Sequence, residues 1–127
     1  MKVNQKLKRL PESELEIMQI IWKETAPVSR HTIEDALPKG HSLAPTTILT
    51  LLTRLCEKGF LSLEKKGRSN LYRPLVSERE YMAAESRSFL NRMFGGSVAG
   101  FAMALCDSGI KKEELEELRA LLEKEEL

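Results

Sequence analysis

The chain is poor in the residues that usually do chemistry. It has two cysteines, Cys56 and Cys106, and two histidines, His31 and His41, in 127 residues. The cysteines stand far apart and in no Cys-x-x-Cys pairing, which excludes a sequence-encoded disulfide framework and suggests two reduced thiols. Neither histidine is set beside an acid or a cysteine at ligand spacing. The H-E-x-x-H, G-x-x-x-x-G-K-[ST] and G-x-S-x-G motifs are missing. The acids clustered at Glu113, Glu114, Glu116 and Glu117 read as the solvated face of an amphipathic helix. An enzyme is not expected, nor is any cofactor or metal. No apolar run approaches the ~18 residues that span a bilayer, and the basic start, Met1 to Arg9, leads into no signal-like apolar stretch. No membrane insertion is expected, and a cytoplasmic location is.

Net charge is also nearly lacking, at +1, but its distribution is uneven. Residues 1–76 hold 13 Lys/Arg against 8 Asp/Glu, a balance of +5, and residues 77–127 hold 7 against 11, a balance of −4. A polyanion partner at the front end alone is the simplest consequence.

Ala44 to Gly59 is the most informative stretch. Pro45 suits the first turn of a helix, and Gly59 suits the left-handed residue that ends one. Ile48, Leu51, Leu52 and Leu55 recur at i, i+3, i+4 and i+7, one apolar stripe. The opposite face carries Thr46, Thr47, Thr50, Thr53 and Arg54, with no acid before Glu57. Hydroxyls ending in a guanidinium suit a polyanion surface, and the helix is expected to enter a DNA major groove.

Upstream, Ser13 and Glu16 form a capping-box pattern for a helix to about Thr25, burying Leu15, Met18, Ile21 and Trp22 with Ile17 flanking. A short helix from Ser29 to about Leu37, burying Ile33, Ala36 and Leu37, stops at Pro38-Lys39-Gly40. His41-Ser42-Leu43 then forms a loop. Downstream, period two over Phe60–Lys66, a turn at Gly67-Arg68-Ser69-Asn70 and a return over Leu71–Leu75 describe a hairpin. Lys65, Lys66, Arg68 and Arg73 crowd it. A basic hairpin behind a reading helix is a wing, placed to meet phosphates.

The rear of the chain reads as three helices. Ser77 and Glu80 make a second capping box for a helix to about Phe94, with Tyr81, Ala84, Ser88, Phe89, Leu90 and Met93 among its inner positions. Gly95-Gly96 breaks it. Ser97 to Cys106 is apolar nearly all round and needs burial. The last helix, from about Lys111 to Glu126, lines up Leu115, Leu118, Leu121 and Leu122. So small a segment cannot enclose its own apolar helix, so a second copy of the chain should cover it, with Phe89, Val98, Phe101, Met103, Leu105, Leu115, Leu118 and Leu122 at the dimer contact. The expected architecture is mainly α with a small β-hairpin: a winged helix-turn-helix domain over 1–76 and a helical dimerisation domain over 77–127.

With these residues in view the chain resembles the penicillinase-repressor family of winged-helix regulators, the BlaI/MecI type, to which copper-responsive CopY repressors also belong. The carriers are Leu15-Glu16-Ile17-Met18 with Ile21-Trp22, Thr46-Thr47-Ile48 through Leu51-Leu52-Thr53-Arg54-Leu55, and Glu57-Lys58-Gly59-Phe60-Leu61. Phe89-Leu90, Gly95-Gly96 and Glu114-Leu115-Glu116-Glu117-Leu118 follow in the same order. The resemblance implies a homodimer that binds an inverted-repeat operator of TACA/TGTA type and blocks transcription of a resistance or stress operon. It puts Thr46, Thr47, Thr50 and Arg54 on the DNA-facing side, with Lys65, Lys66 and Arg68 on the wing. Leu49 stands where some relatives carry a basic residue. The family's penicillinase repressors answer to a membrane sensor whose signal leads to cleavage of an Asn-Phe bond after the double glycine; counted from Gly95-Gly96, the corresponding pair is Ala104-Leu105. Copper-responsive relatives end in CxC…CxC, and this chain ends Glu-Lys-Glu-Glu-Leu. A metal- or effector-responsive regulator, including one using Cys56, Cys106 and a histidine across the dimer, and a winged-helix protein-interaction module remain the alternatives.

Overall fold

Chain order sets the front architecture. The computed structural model describes residues 7–38 and 43–124. The expected stop at Lys39-Gly40 and the loop residues His41 and Ser42 lie outside them. Helix α1 spans Glu12–Lys23, strand β1 Val28–Ser29, helix α2 Arg30–Ala36, helix α3 Pro45–Glu57, strands β2 Leu61–Lys66 and β3 Ser69–Pro74, and helices α4 Glu78–Phe94, α5 Val98–Asp107 and α6 Lys112–Lys124. The strands form one antiparallel sheet in the order β1-β3-β2. The third strand was not expected: β1 is two residues long, too short to show a period, and pairs Val28 with Tyr72 and Ser29 with Leu71.

Helix starts follow local chemistry, with one correction. The Ser13–Glu16 pattern does not mark the start of α1, which begins earlier, at Glu12, with Pro11 as its N-cap. The fixed φ of proline presets that position, and the Leu15 amide donates to the Pro11 carbonyl at 2.9 Å. Glu12 and Glu14 then occupy the positive end of the helix dipole. At α4 the same pattern does form: the Glu80 amide donates to Ser77 Oγ at 3.0 Å and the Ser77 amide to Glu80 Oε1 at 3.2 Å. Ser29 caps α2 as expected, but α2 ends at Ala36, which is exposed; Ile33 and Leu37 are buried.

The two ends of α3 are as its sequence suggests. Pro45 is its first residue, and Ile48, Leu51, Leu52 and Leu55 are buried. Gly59, at φ +82°, lets the Phe60 amide donate to the Leu55 carbonyl and its own amide to that of Cys56, a Schellman closure that turns the chain into β2. The hairpin is tighter than expected. Lys66 pairs with Ser69, so the turn is Gly67-Arg68 alone, with Gly67 at φ +65°.

The front core joins Ile17, Met18 and Ile21 of α1 to Ile33, the α3 stripe, Phe60, Leu61 and Tyr72. Ile17 is central, at 0% exposure, whereas Leu15 and Trp22 are half-buried. Two features fasten α1. Glu14, only 2% exposed, pairs its carboxylate with the Lys58 ammonium at the end of α3. Trp22 Nε1 donates to the Val76 carbonyl at 2.9 Å. Removing Lys58 strands a buried carboxylate: Lys58→Met should cost about 1–3 kcal/mol in denaturant melts, discounted because the lysine reaches solvent, and Glu14→Leu in the same chain should restore part of it. Equal stability of Lys58→Met and the parent would contradict this role.

The chain divides into two compact units, Met1–Glu85 and Ser86–Leu127, nine residues beyond the boundary expected at Val76. The first turns of α4 account for the shift. Tyr81 is buried in the front core, accepts the Leu10 amide on its hydroxyl at 2.8 Å, and packs on Trp22 and Phe60 at centroid distances of 5.8 and 5.7 Å.

In the rear unit Phe89, Phe94 and Phe101 meet edge-to-face, at 5.5–6.3 Å between centroids. Ser97 caps α5 through the Gly100 amide at 2.9 Å. The apolar α5 is not covered, since no residue of α5 or α6 is buried. Val98 is 66% and Met103 69% exposed, and Leu118, Leu121 and Leu122 lie open on α6.

Candidate nucleic-acid interface

Thr46, Thr47, Thr50 and Arg54 are all exposed on α3, opposite its buried stripe. Neither Arg54 nor the wing residues Lys65, Lys66 and Arg68 form an ion pair with a described residue. Arg73 differs: Glu64 takes its guanidinium at 2.8 Å, which cancels one of the four hairpin cations counted from sequence. Lys58 is likewise committed to Glu14. Of the cations on α3 and the hairpin, those without an ion pair to a described residue are therefore Arg54 and the three near the hairpin tip.

A concave surface of about 470 Å³ links part of this set. Thr46 and Leu49 line it from α3, Arg68, Asn70 and Tyr72 from the hairpin, and Arg30 and His31 from the start of α2. Among the described residues no carboxylate lines it. Arg54 stands two turns further along α3, ~12 Å by helix rise, and belongs to a separate point of contact. Register separates the two wing lysines. Lys65 faces Asn70 across the ladder and so shares the side of Asn70 and Tyr72, while Lys66, paired with Ser69, points to the other side.

Arg30 and His31 were missed in the sequence, although a signal was present. Helix N-termini favour acids, yet the first turn of α2 has none and carries two basic side chains instead. Glu34, one turn on, holds Arg30 at 2.9 Å and lies 3.6 Å from His31 Nδ1, so this histidine does have an acid beside it. Among the described residues no three His, Cys, Asp or Glu side chains gather. The half-buried Cys56 thiol is pushed up, first by burial and then by Glu57, and so stays protonated at neutral pH. Tyr72 is raised mainly by burial too. Among the described residues no single helix is long and apolar enough to cross a membrane.

A reading helix, a hairpin wing behind it and a short helix before it define the winged-helix class. The family model described as penicillinase repressor matches residues 10–124. The penicillinase repressor of Bacillus licheniformis is 34% identical over 119 residues, 93% of this chain and 92% of that one. The methicillin resistance regulatory protein MecI of Mammaliicoccus sciuri is 29% identical over 123 residues, 96% of this chain and 99% of that one. Among solved structures, the DNA binding domain of the repressor BlaI superposes with a TM-score of 0.50 at 36% identity, covering 57% of this chain and 88% of that chain. The chain belongs to the penicillinase repressor family, a family of repressors and not of enzymes.

Proposed function

We propose that this repressor works as a cytoplasmic homodimer that binds an inverted-repeat operator of TACA/TGTA type and blocks transcription of a resistance or stress operon. The observation that carries the reading is the concave surface on which α3, the wing and the start of α2 meet, with no carboxylate among its described lining residues. In a major groove α3 would offer Thr46, Thr47, Thr50 and Arg54 to bases and nearby phosphates, while Lys65, Lys66 and Arg68 neutralise backbone phosphates. Two-fold symmetry supplies the second half-site, with reading helices ~34 Å, or a multiple of it, apart. The uncovered α5 and α6 supply the contact between copies. Phe89, Val98, Phe101, Met103, Leu105, Leu115, Leu118 and Leu122 are the residues proposed for it. An upstream membrane sensor is the remaining partner of the proposal. The bond corresponding to the family's cleaved pair, Ala104-Leu105, lies within α5, so a protease acting there would need that helix to open.

Arg54→Ala is expected to weaken operator binding by about 1–3 kcal/mol and to flatten preference at one base pair. Unchanged binding in anisotropy titrations would remove Arg54 from the interface. The wing gives a finer test. Lys65→Ala and Lys66→Ala should each lose affinity equally on all sequences, and should lower the salt slope by about 1 for each phosphate contact removed. A loss confined to one operator sequence would contradict a phosphate role.

A further inference from the structure

Leu49 breaks the polar face of α3. It lies one turn beyond Thr46, outside the buried stripe, is 39% exposed, and lines the concave surface beside Arg68. Two of the threonines around it are less polar than they read. Thr50 Oγ1 donates to the Thr46 carbonyl at 3.0 Å and Thr53 Oγ1 to the Leu49 carbonyl at 2.9 Å. Each hydroxyl thus directs its only proton into its own helix, leaving oxygen lone pairs and a γ-methyl to meet a partner. Beside Leu49 the face therefore offers hydrocarbon and two hydroxyls already committed to the helix backbone.

Base edges in the major groove carry donors and acceptors, with one apolar exception, the C5-methyl of thymine. Leu49 set against a cytosine amino group or a guanine carbonyl would strip water from a polar group and return no hydrogen bond. Set against a thymine methyl, it buries carbon on both sides. We propose that Leu49 packs on a thymine methyl in each half-site, so that this chain selects thymine at one position by its methyl group and not by a hydrogen bond. The proposal rests on the DNA-binding reading above and assigns the specificity of one position to one side chain.

The test uses the full chain. A duplex enriched by the protein from a random pool is resynthesised with deoxyuridine in place of each thymidine in turn, which removes only the methyl. At one thymine of the half-site, deoxyuridine should weaken binding by about fourfold, the value of one buried methyl. Leu49→Ala should bind the thymidine duplex more weakly and be indifferent to deoxyuridine at that position. Leu49 is outside the core, so this variant keeps its fold, which a circular-dichroism melt matching the parent's will verify. Equal affinity of the parent for all deoxyuridine duplexes, or undiminished deoxyuridine sensitivity in Leu49→Ala, would overturn the proposal while leaving DNA binding intact. Failure to bind any duplex would overturn the DNA-binding reading itself, and this inference with it.

Discussion

The double substitution Leu118→Glu, Leu122→Glu is expected to yield a folded monomer whose affinity for an inverted repeat is lower by about 10²–10⁴-fold, while its affinity for a single half-site is unchanged. The argument begins with the rear unit, where α5 is apolar nearly all round and yet has no buried residue. Leu115 is half-covered, and Leu118 and Leu122 line the same side of α6. Hydrocarbon left open on this scale suits a contact surface, and a two-fold pairing of copies is the contact proposed for it. Linking two reading helices converts the second half-site contact into an intramolecular event, which sets the size of the expected loss. Two carboxylates facing their symmetry mates would oppose that pairing. Sedimentation velocity checks the oligomeric state; a variant that remains a dimer would place the contact elsewhere.

The second large effect concerns where the front unit ends. Cutting after Val76 removes Tyr81, whose ring fills the space between Trp22 and Phe60 and whose hydroxyl accepts the Leu10 amide. Loss of a buried aromatic costs about 3–5 kcal/mol, a large share of the stability of a domain this small. The fragment 1–76 is therefore expected to melt at much lower temperature than 1–85, or not to fold, and Tyr81→Ala in the full chain should destabilise the front unit by the same about 3–5 kcal/mol. Fragment 1–85 is expected to be a folded monomer. Indistinguishable melting of the two fragments, followed by circular dichroism, would show that Tyr81 is dispensable.

The residues that could be placed from sequence are those whose role depends on near neighbours. Pro45, Gly59 and the four-residue apolar stripe between them fix α3 because caps and helical period are local properties. Ser77 and Glu80 are a second case. The Ser13–Glu16 pattern shows the limit, since an identical spacing was pre-empted by Pro11 two residues upstream. What stayed hidden is long-range. A buried glutamate reads as a surface residue until Lys58, 44 positions later, is seen to hold it. Arg73 looked like a wing cation until Glu64 across the ladder neutralised it. Of the candidate site, the α3 face and the hairpin cations were legible. Arg30 and His31 were not, because their contribution depends on β1 drawing the start of α2 beside the wing.

One titration bears most directly on the central claim. The full chain, added at increasing concentration to a labelled duplex carrying a TACA/TGTA inverted repeat and to a scrambled duplex of equal composition, is followed by anisotropy at several salt concentrations, with the complex sized by sedimentation. The account predicts two chains per repeat, a clear preference over the scrambled duplex, and affinity that falls steeply with salt. Equal binding to both duplexes at every salt concentration, or none to either, would contradict it.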